Sequence, residues 1–351
     1  MKNPAIVCVA YDREESLKRL LKSISRASYE NNNVPLIISI DYAKDNSEVV
    51  FVAESFEWEY GEKIVVTHEQ NLGLRKHILE CGDYAVTYGS VIILEDDLVV
   101  APGFYKFAKD AQEYYKEDSR IAGVSLYSHE WNGYVRRSFM PVIKNGDVYF
   151  GQFGVSWGQC WNKRQWTDFK NWYLENQILE YNINVPVIMN DWSQKSWGKY
   201  FNFYIVEKNK YYVVPYRAFS TCFTEAGEHF NYRCIDHQVR LDLGEREYDF
   251  VDFEEGSHYD IFFENQDLGM VLKKYIVDER EVCIDLYGNK GVSSRKYKYI
   301  LTTQKLKYDK IKSFGKQMRP IEMNVLYEIE GDEIFLYQKD DKIVKNKKRY
   351  N

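Results

Sequence analysis

Three consecutive carboxylates, Glu95-Asp96-Asp97, stand between one aliphatic run, Val91-Ile92-Ile93-Leu94, and a second, Leu98-Val99-Val100. Three adjacent acids cannot all be buried unpaired, because each would cost on the order of several kcal/mol of desolvation. A hard divalent cation is one partner that solves this. Mg²⁺ or Mn²⁺ takes carboxylate oxygens and shares its remaining positions with substrate phosphates. The plainer alternative is an acidic strand end solvated at the edge of a sheet. Other polar groups fall at comparable places: Tyr11-Asp12-Arg13 after the run 5–10, Asp41 closing 34–41, and His68 closing 63–68. Singly, each has an ordinary role: Asp12 as a helix cap, Asp41 as a turn former, His68 as a solvated loop residue.

What would bring them together is the alternation of elements. Strands are expected at 5–10, 34–41, 63–68 and 91–98. Helices are expected around 17–24, 49–56, 74–88 and 103–116, where apolar residues recur at helical spacing. Unbroken Val- and Ile-rich strands belong to a parallel sheet covered on both faces, so the expected class is α/β. Ligands of such sheets lie beyond the carboxyl ends of the strands, and the residues above should therefore share one rim. Neither GxGxxG nor GxxxxGK[ST] follows the first strand, which argues against a dinucleotide fold or a P-loop NTPase.

The order of motifs is more specific than the acids. Asn71-Leu72-Gly73-Leu74-Arg75, a helix, the acidic triplet with Leu98, and Pro102-Gly103-Phe104-Tyr105 resemble bacterial family 2 glycosyltransferases, in particular the branch related to N-acetylglucosaminyltransferase I. Ile121-Ala122-Gly123-Val124-Ser125 resembles the strand that follows in that group. Ser156-Trp157-Gly158-Gln159-Cys160-Trp161 resembles its Trp-Gly motif, with Gln159 in place of a second Trp. Asn190-Asp191-Trp192 resembles its short Asp motif, and Gly227-Glu228-His229 a later Gly-x-His.

The resemblance implies a type A glycosyltransferase fold and a metal-dependent, inverting transfer from a nucleotide sugar, UDP-sugar favoured, to a glycan or lipid-linked acceptor in bacterial surface-polysaccharide or glycoconjugate assembly. It implies Asp97 and His229 as ligands of Mn²⁺ or Mg²⁺. Tyr11, Asp12, Arg13, Asp41, Arg75, Glu95, Asp96, Trp157 and Gly158 would bind the donor, and Asp191 would be the base, with the register between Asn190 and Asp191 open. Trp192 and Trp197 would form a partly dry wall beside that base. A sugar-phosphate nucleotidyltransferase, or an inactive sugar-binding scaffold, is the alternative.

The catalytic part is expected over 1–240, with a nucleotide-sugar half at 1–125 and an acceptor half at 126–240. An α+β accessory region would follow at 241–351, with a helix and then a strand in 261–277 and strands at 282–287 and 334–337. The formal charge of −6 speaks against nucleic acid as a partner. Met1-Lys2-Asn3-Pro4 leads directly into the first strand, so neither a signal peptide nor a transmembrane helix is expected, and the six scattered cysteines suit a reduced, cytoplasmic protein. The basic tail 342–351 suggests peripheral contact with an anionic membrane. Trp161 and Trp166 are expected in the core.

Overall fold

The computed structural model describes residues 3–30, 33–223 and 235–339. Its first half alternates as the sequence predicts: β1 (Ala5–Ala10), α1 (Glu14–Ser25), β2 (Leu36–Ile40), α2 (Ser47–Ser55), β3 (Lys63–Thr67), α3 (Leu74–Tyr88), β4 (Ser90–Glu95), β5 (Leu98–Val100), α4 (Phe104–Tyr114) and β6 (Ile121–Ser125). A small hairpin, β7 (Trp131–Asn132) and β8 (Arg137–Ser138), leads to β9 (Val148–Gly151), β10 (Gln159–Asn162), α5 (Lys163–Glu175), α6 (Val187–Asn190), α7 (Trp197–Glu207), β11 (Tyr211–Pro215), β12 (Ser220–Cys222) and β13 (His258–Tyr259).

Nine strands form one sheet in the order β13-β9-β11-β6-β10-β4-β1-β2-β3. Strands β3, β2, β1 and β4 run parallel, and β10 lies antiparallel between β4 and β6. Side chains alternate across a strand, so β1 feeds two cores. Ile6, Cys8 and Ala10 pack with Leu17, Leu20 and Leu21 of α1 on one face. Ala5, Val7 and Val9 pack with Ile78 and Ala85 of α3 on the other. Each Val, Leu or Ile side chain among them contributes about 1.5–3 kcal/mol when fully buried. Trp161 and Trp166 are fully buried in the second core, and the five described cysteines are buried free thiols.

The aliphatic stretch 91–100 is not one strand. The chain turns at Asp96-Asp97, and β5 leaves the large sheet to pair with β12. The acids thus sit at a corner between two sheets. Beyond residue 240 the chain still serves the first sheet, since β13 pairs with β9 and Val251 joins the first core.

A second sheet, β14 (Val282–Asp285), β15 (Tyr299–Thr302), β16 (Asp309–Phe314) and β17 (Ile334–Gln338), has the order β14-β15-β17-β16. It packs with α8 (Leu268–Leu272) and α9 (Met323–Leu326) around Leu272, Ile284, Leu301, Phe314 and Leu336. The helix and strand expected over 261–277 reduce to α8. The Asp260 carboxylate accepts the N–H groups of Phe262 and Glu264, and Phe263 takes a φ of 65°, so the chain turns there. The Tyr287 N–H donates to Glu264 at 2.7 Å and Lys290 pairs with Asp260, which joins the two sheets. Among the described residues no helix is long and apolar enough to cross a membrane.

Candidate active site

The strand register places the predicted residues on one rim. Ala10 stands opposite Ile40, Ile40 opposite Thr67, and Val9 opposite Glu95, so residues 11–13, 41, 68 and 95–97 emerge side by side. Strand β10 runs the other way. Gln159 faces Ile93 on one side and Ser125 on the other, which brings Trp157-Gly158 back to the same rim.

At its centre Arg13 reaches across from the start of α1. Its guanidinium pairs with the buried Asp96 carboxylate and lies 3.8 Å from Asp97. Burial favours neutral Arg13, but Asp96, Asp97 and Glu95 outweigh it and hold its pKa above the ordinary value. Among the described residues, Arg13 is the cation paired with Asp96 and Asp97. Burial, with Asp97 adding to it, pushes the Asp96 carboxyl up to about 7 despite Arg13. Burial followed by Asp97 and Asp96 pushes Glu95 well above the carboxylate range, against the opposing pull of Arg13 and a hydrogen bond from Trp197. The Oε1 atom of Glu95 is buried without a hydrogen-bond partner. Adjacent carboxyls with raised pKa values and an orphaned acid oxygen fit a cation.

Among the described residues no cluster of three His, Cys, Asp or Glu side chains could by itself hold a metal ion. Mg²⁺-type sites use one or two carboxylates and take the remaining oxygens from substrate phosphates and water. His229 lies outside the described residues.

Tyr11 and Asp12 stand exposed beside this centre, with Tyr11 42% accessible. Asp41 is different. It is buried, and its carboxylate accepts the N–H groups of Tyr42 and Leu72 at 2.8 Å and of Gly73 at 2.9 Å. It therefore shapes the loop that launches α3, where Gly73 needs its φ of 74°. Beneath that loop the Ser39 hydroxyl lies 2.7 Å from Nε2 of His77, whose pKa burial lowers to about 4, and His68 packs edge-on against His77.

Arg75, in the first turn of α3, donates to the Gln194 carbonyl at 2.6 Å and the Tyr200 hydroxyl at 2.9 Å. It is thus aimed at the segment carrying Asp191. Asp191 caps the C-terminus of α6 and is exposed. The dry wall expected around it is absent on that side: Trp197 is buried toward Glu95, and Trp192 is half-buried in the core behind it. Lys199 holds the peptide units around the acid, its Nζ donating to the carbonyls of Asn190 and Trp192, both at 2.7 Å. Burial lowers the Lys199 pKa, with Asp191 partly opposing.

Trp157 packs against Tyr127 with ring centroids 4.6 Å apart and against His237 at 4.9 Å. Gly158 has a φ of 94°, and a Cβ there would lie 2.9 Å from Ser220 Oγ, so the position requires glycine. Ser220 belongs to β12, the partner of β5, and the Phe223 N–H donates to the Asp97 carbonyl at 2.8 Å. The Trp-Gly turn and the acidic corner are therefore built against each other.

Sequence reasoning missed Tyr127 and His129. They follow the carboxyl end of β6, where the same rule that singled out Asp41 and His68 could have found them. Burial lowers the His129 pKa to about 3, and its Nε2 is unpartnered among rings of Tyr127, Phe153, Trp157 and Phe263.

No curated protein matches the sequence. Among solved structures, S. aureus TarS 1–349 in complex with UDP-GlcNAc aligns with a TM-score of 0.40 and 14% identity, over 64% of this chain and 60% of that one. S. aureus TarS 1–349 on its own aligns with a TM-score of 0.39 and 12% identity, over 62% and 59%. The mannosyltransferase PcManGT from Pyrobaculum calidifontis, in complex with GDP-Man and Mn²⁺, aligns with a TM-score of 0.35 and 14% identity, over 47% and 46%. The chain thus spans about three-fifths of the TarS 1–349 structures and less of the mannosyltransferase. The large, mostly parallel sheet flanked by helices, with a further C-terminal sheet, is the type A glycosyltransferase fold with an extension. The family model Glycosyl transferase family 2 matches residues 5–179, from β1 through the acidic corner to the segment after α5, and this part of the chain belongs to that family.

Proposed function

We propose that the protein transfers a sugar from a nucleoside-diphosphate sugar to an acceptor hydroxyl, with inversion at the anomeric carbon and with Mn²⁺ or Mg²⁺. The observation that carries this reading is the corner formed by Arg13, Glu95, Asp96 and Asp97 at the carboxyl ends of β1 and β4, inside a family 2 domain. A divalent cation there supplies neutralisation of the charge that develops on the departing diphosphate. Asp97, about 31% accessible at its side chain, is the residue placed to hold it, with His229 as the further candidate.

The chain's own groups do the rest. Arg13 pairs with Asp96 and partly opposes the burial that raises its pKa, and its planar fork can also meet a phosphate oxygen. Exposed Tyr11 and Asp12 are available to base and ribose, while Asp41 acts through the loop 71–73 that it organises. Trp157 offers a flat face to the sugar, with Gly158 allowing the backbone to approach. Asp191 takes the acceptor proton as the anomeric carbon is attacked. With a single base and direct displacement, no covalent sugar intermediate forms.

The ordered motifs support a place near the N-acetylglucosaminyltransferase I branch, with a glycan or lipid-linked alcohol of surface-polysaccharide assembly as acceptor and the cytoplasm as the site of action. The test is a thermal-shift screen of UDP-, GDP-, dTDP- and CMP-sugars with and without Mn²⁺. One nucleotide class should raise the melting temperature only when the metal is present, because a ligand that binds the folded state alone stabilises it. No response to any nucleotide sugar would remove the assignment.

A further inference from the structure

Six large apolar side chains, Leu174, Ile178, Tyr181, Ile183, Val187 and Ile188, are exposed within the segment 174–188, immediately before Asp191. Ile178 is 81% accessible. Scattered exposed aliphatics need no explanation, but a concentration of this kind on one short segment does.

The segment is not loosely folded. Asn182 donates its N–H to Asn190 Oδ1 at 2.8 Å, and Asn190 Nδ2 returns a bond to the Asn182 carbonyl at 3.0 Å. Gln194 Nε2 donates to the Leu179 carbonyl at 2.9 Å, and the Tyr200 hydroxyl to the Gln177 carbonyl at 2.8 Å. Val185 and Met189 are buried and anchor the loop from inside. The polar groups thus close the loop at its base while the apolar ones are held outward.

A second observation bears on what this surface meets. Lys296 Nζ donates to Asn184 Oδ1 at 2.9 Å, which sets the turn Arg295-Lys296-Tyr297-Lys298 of the C-terminal module against this loop. Arg295 and Lys296 are exposed, and the turn has no acidic partner among the described residues. Outward aliphatics beside unneutralised cations are what a surface needs to rest on an anionic bilayer. The apolar groups enter the acyl boundary and the cations meet the headgroups.

We infer that the 174–188 loop and the 295–298 turn together form a docking surface for an anionic lipid bilayer, which brings a membrane-borne acceptor to Asp191. The acceptor part rests on the transferase reading, whereas the docking itself does not. It differs from membrane contact through the basic tail, which lies outside the described residues.

The experiment is flotation of the full chain with vesicles of phosphatidylcholine plus phosphatidylglycerol, and of phosphatidylcholine alone. The wild type should float with the mixed vesicles and at least about tenfold less with the neutral ones. Combined Ile178→Ser, Val187→Ser and Ile188→Ser should lower binding at least about tenfold, and combined Arg295→Ser and Lys298→Ser should remove the preference for phosphatidylglycerol. The single Ile178→Ser, at the most exposed position, should weaken binding in the same direction and guards against a folding defect in the triple variant.

Nucleotide-sugar binding, read by thermal shift, should be the same in all variants. A wild type that binds neither vesicle, or variants that bind as well as it does, would overturn the proposal. So would a dimer that the serine substitutions split while vesicle binding stays absent, since the loop would then be a contact between copies. Vesicle binding that persists in a protein with no affinity for any nucleotide sugar would leave the surface standing and sink the transferase reading instead.

Discussion

The two sides of the rim are built on opposite principles. On the side proposed for the donor, acids are buried: Asp41 and Asp96 are nearly inaccessible, and their partners are backbone N–H groups and one guanidinium. On the far side, Asp191 stands in solvent, and what is held rigid is the peptide chain around it, through Lys199, Asn190, Gln194 and Arg75. Under the proposed function, the first side is a preformed mould for the donor's diphosphate. The acceptor side fixes a backbone and leaves its side chains to whatever docks. This arrangement suits a transferase whose donor is small and constant and whose acceptor is large. Arg75 and Trp197 link the sides, one bonding from α3 to Gln194 and the other from α7 to Glu95.

The sharpest attack on this contrast is Asp97→Ala. If the donor side binds a diphosphate through a cation, transfer should fall by about a thousandfold or more, and metal-dependent nucleotide binding should vanish with it. Isothermal titration with and without EDTA checks the second part, and full activity in EDTA would contradict it. Asp191→Asn should do less and do it differently. Turnover should fall by about 10²- to 10⁴-fold while the donor dissociation constant stays put, because a general base contributes to the proton transfer and not to nucleotide affinity. An unchanged rate would strip Asp191 of its role.

How much of this contrast was legible in the sequence follows from where each residue's partners lie. Strand β4 and its acids were readable because a Val- and Ile-rich run ending in three carboxylates is a local pattern. The shared rim was readable because parallel strands put their carboxyl ends on one side. The task of Asp41 was not, since its partners are backbone N–H groups of residues 72 and 73, and a backbone donor leaves no mark on sequence. Nor was the aim of Arg75, whose partners lie over a hundred residues on. The break between β4 and β5 was missed because apolar periodicity continues through Leu98 while the backbone turns at Asp96-Asp97. Phe263, at positive φ, keeps the helix expected from 261 from starting there, and α8 begins only at Leu268.

Asp41→Ala tests the mould directly. It would leave three backbone N–H groups without their acceptor and should lower stability by about 2–4 kcal/mol, read by urea denaturation. Donor affinity should fall with it, since the loop before α3 loses its anchor. A smaller effect comes from pH. The Asp96 carboxyl is raised in the folded protein, from its ordinary 3.8 to about 7, so the folded state holds a proton that the unfolded state has already released. Its contribution is complete below the unfolded pKa and is lost as pH climbs toward 7, which predicts a decline of about 1–3 kcal/mol between pH 4 and 8 in metal-free protein. Asp96→Asn should flatten that decline, and an identical slope in the variant would show that the buried acids of the donor side do not set it.

The acceptor side should answer to a much gentler cut. Asn190→Ala removes the two side-chain bonds to the backbone of Asn182 that close the loop, without touching Asp191 itself. The net value of such bonds is about 1 kcal/mol, and because the loop lies at the surface, water replaces part of what is lost. Global stability should therefore drop by no more than about 1 kcal/mol, while amide exchange over 182–191 speeds up because local opening becomes easier. If the far side works by holding its backbone, KM for the acceptor should rise more than KM for the donor. Equal change in both would mean that the loop serves the whole rim, and that the division between a rigid donor mould and a scaffolded acceptor edge is drawn in the wrong place.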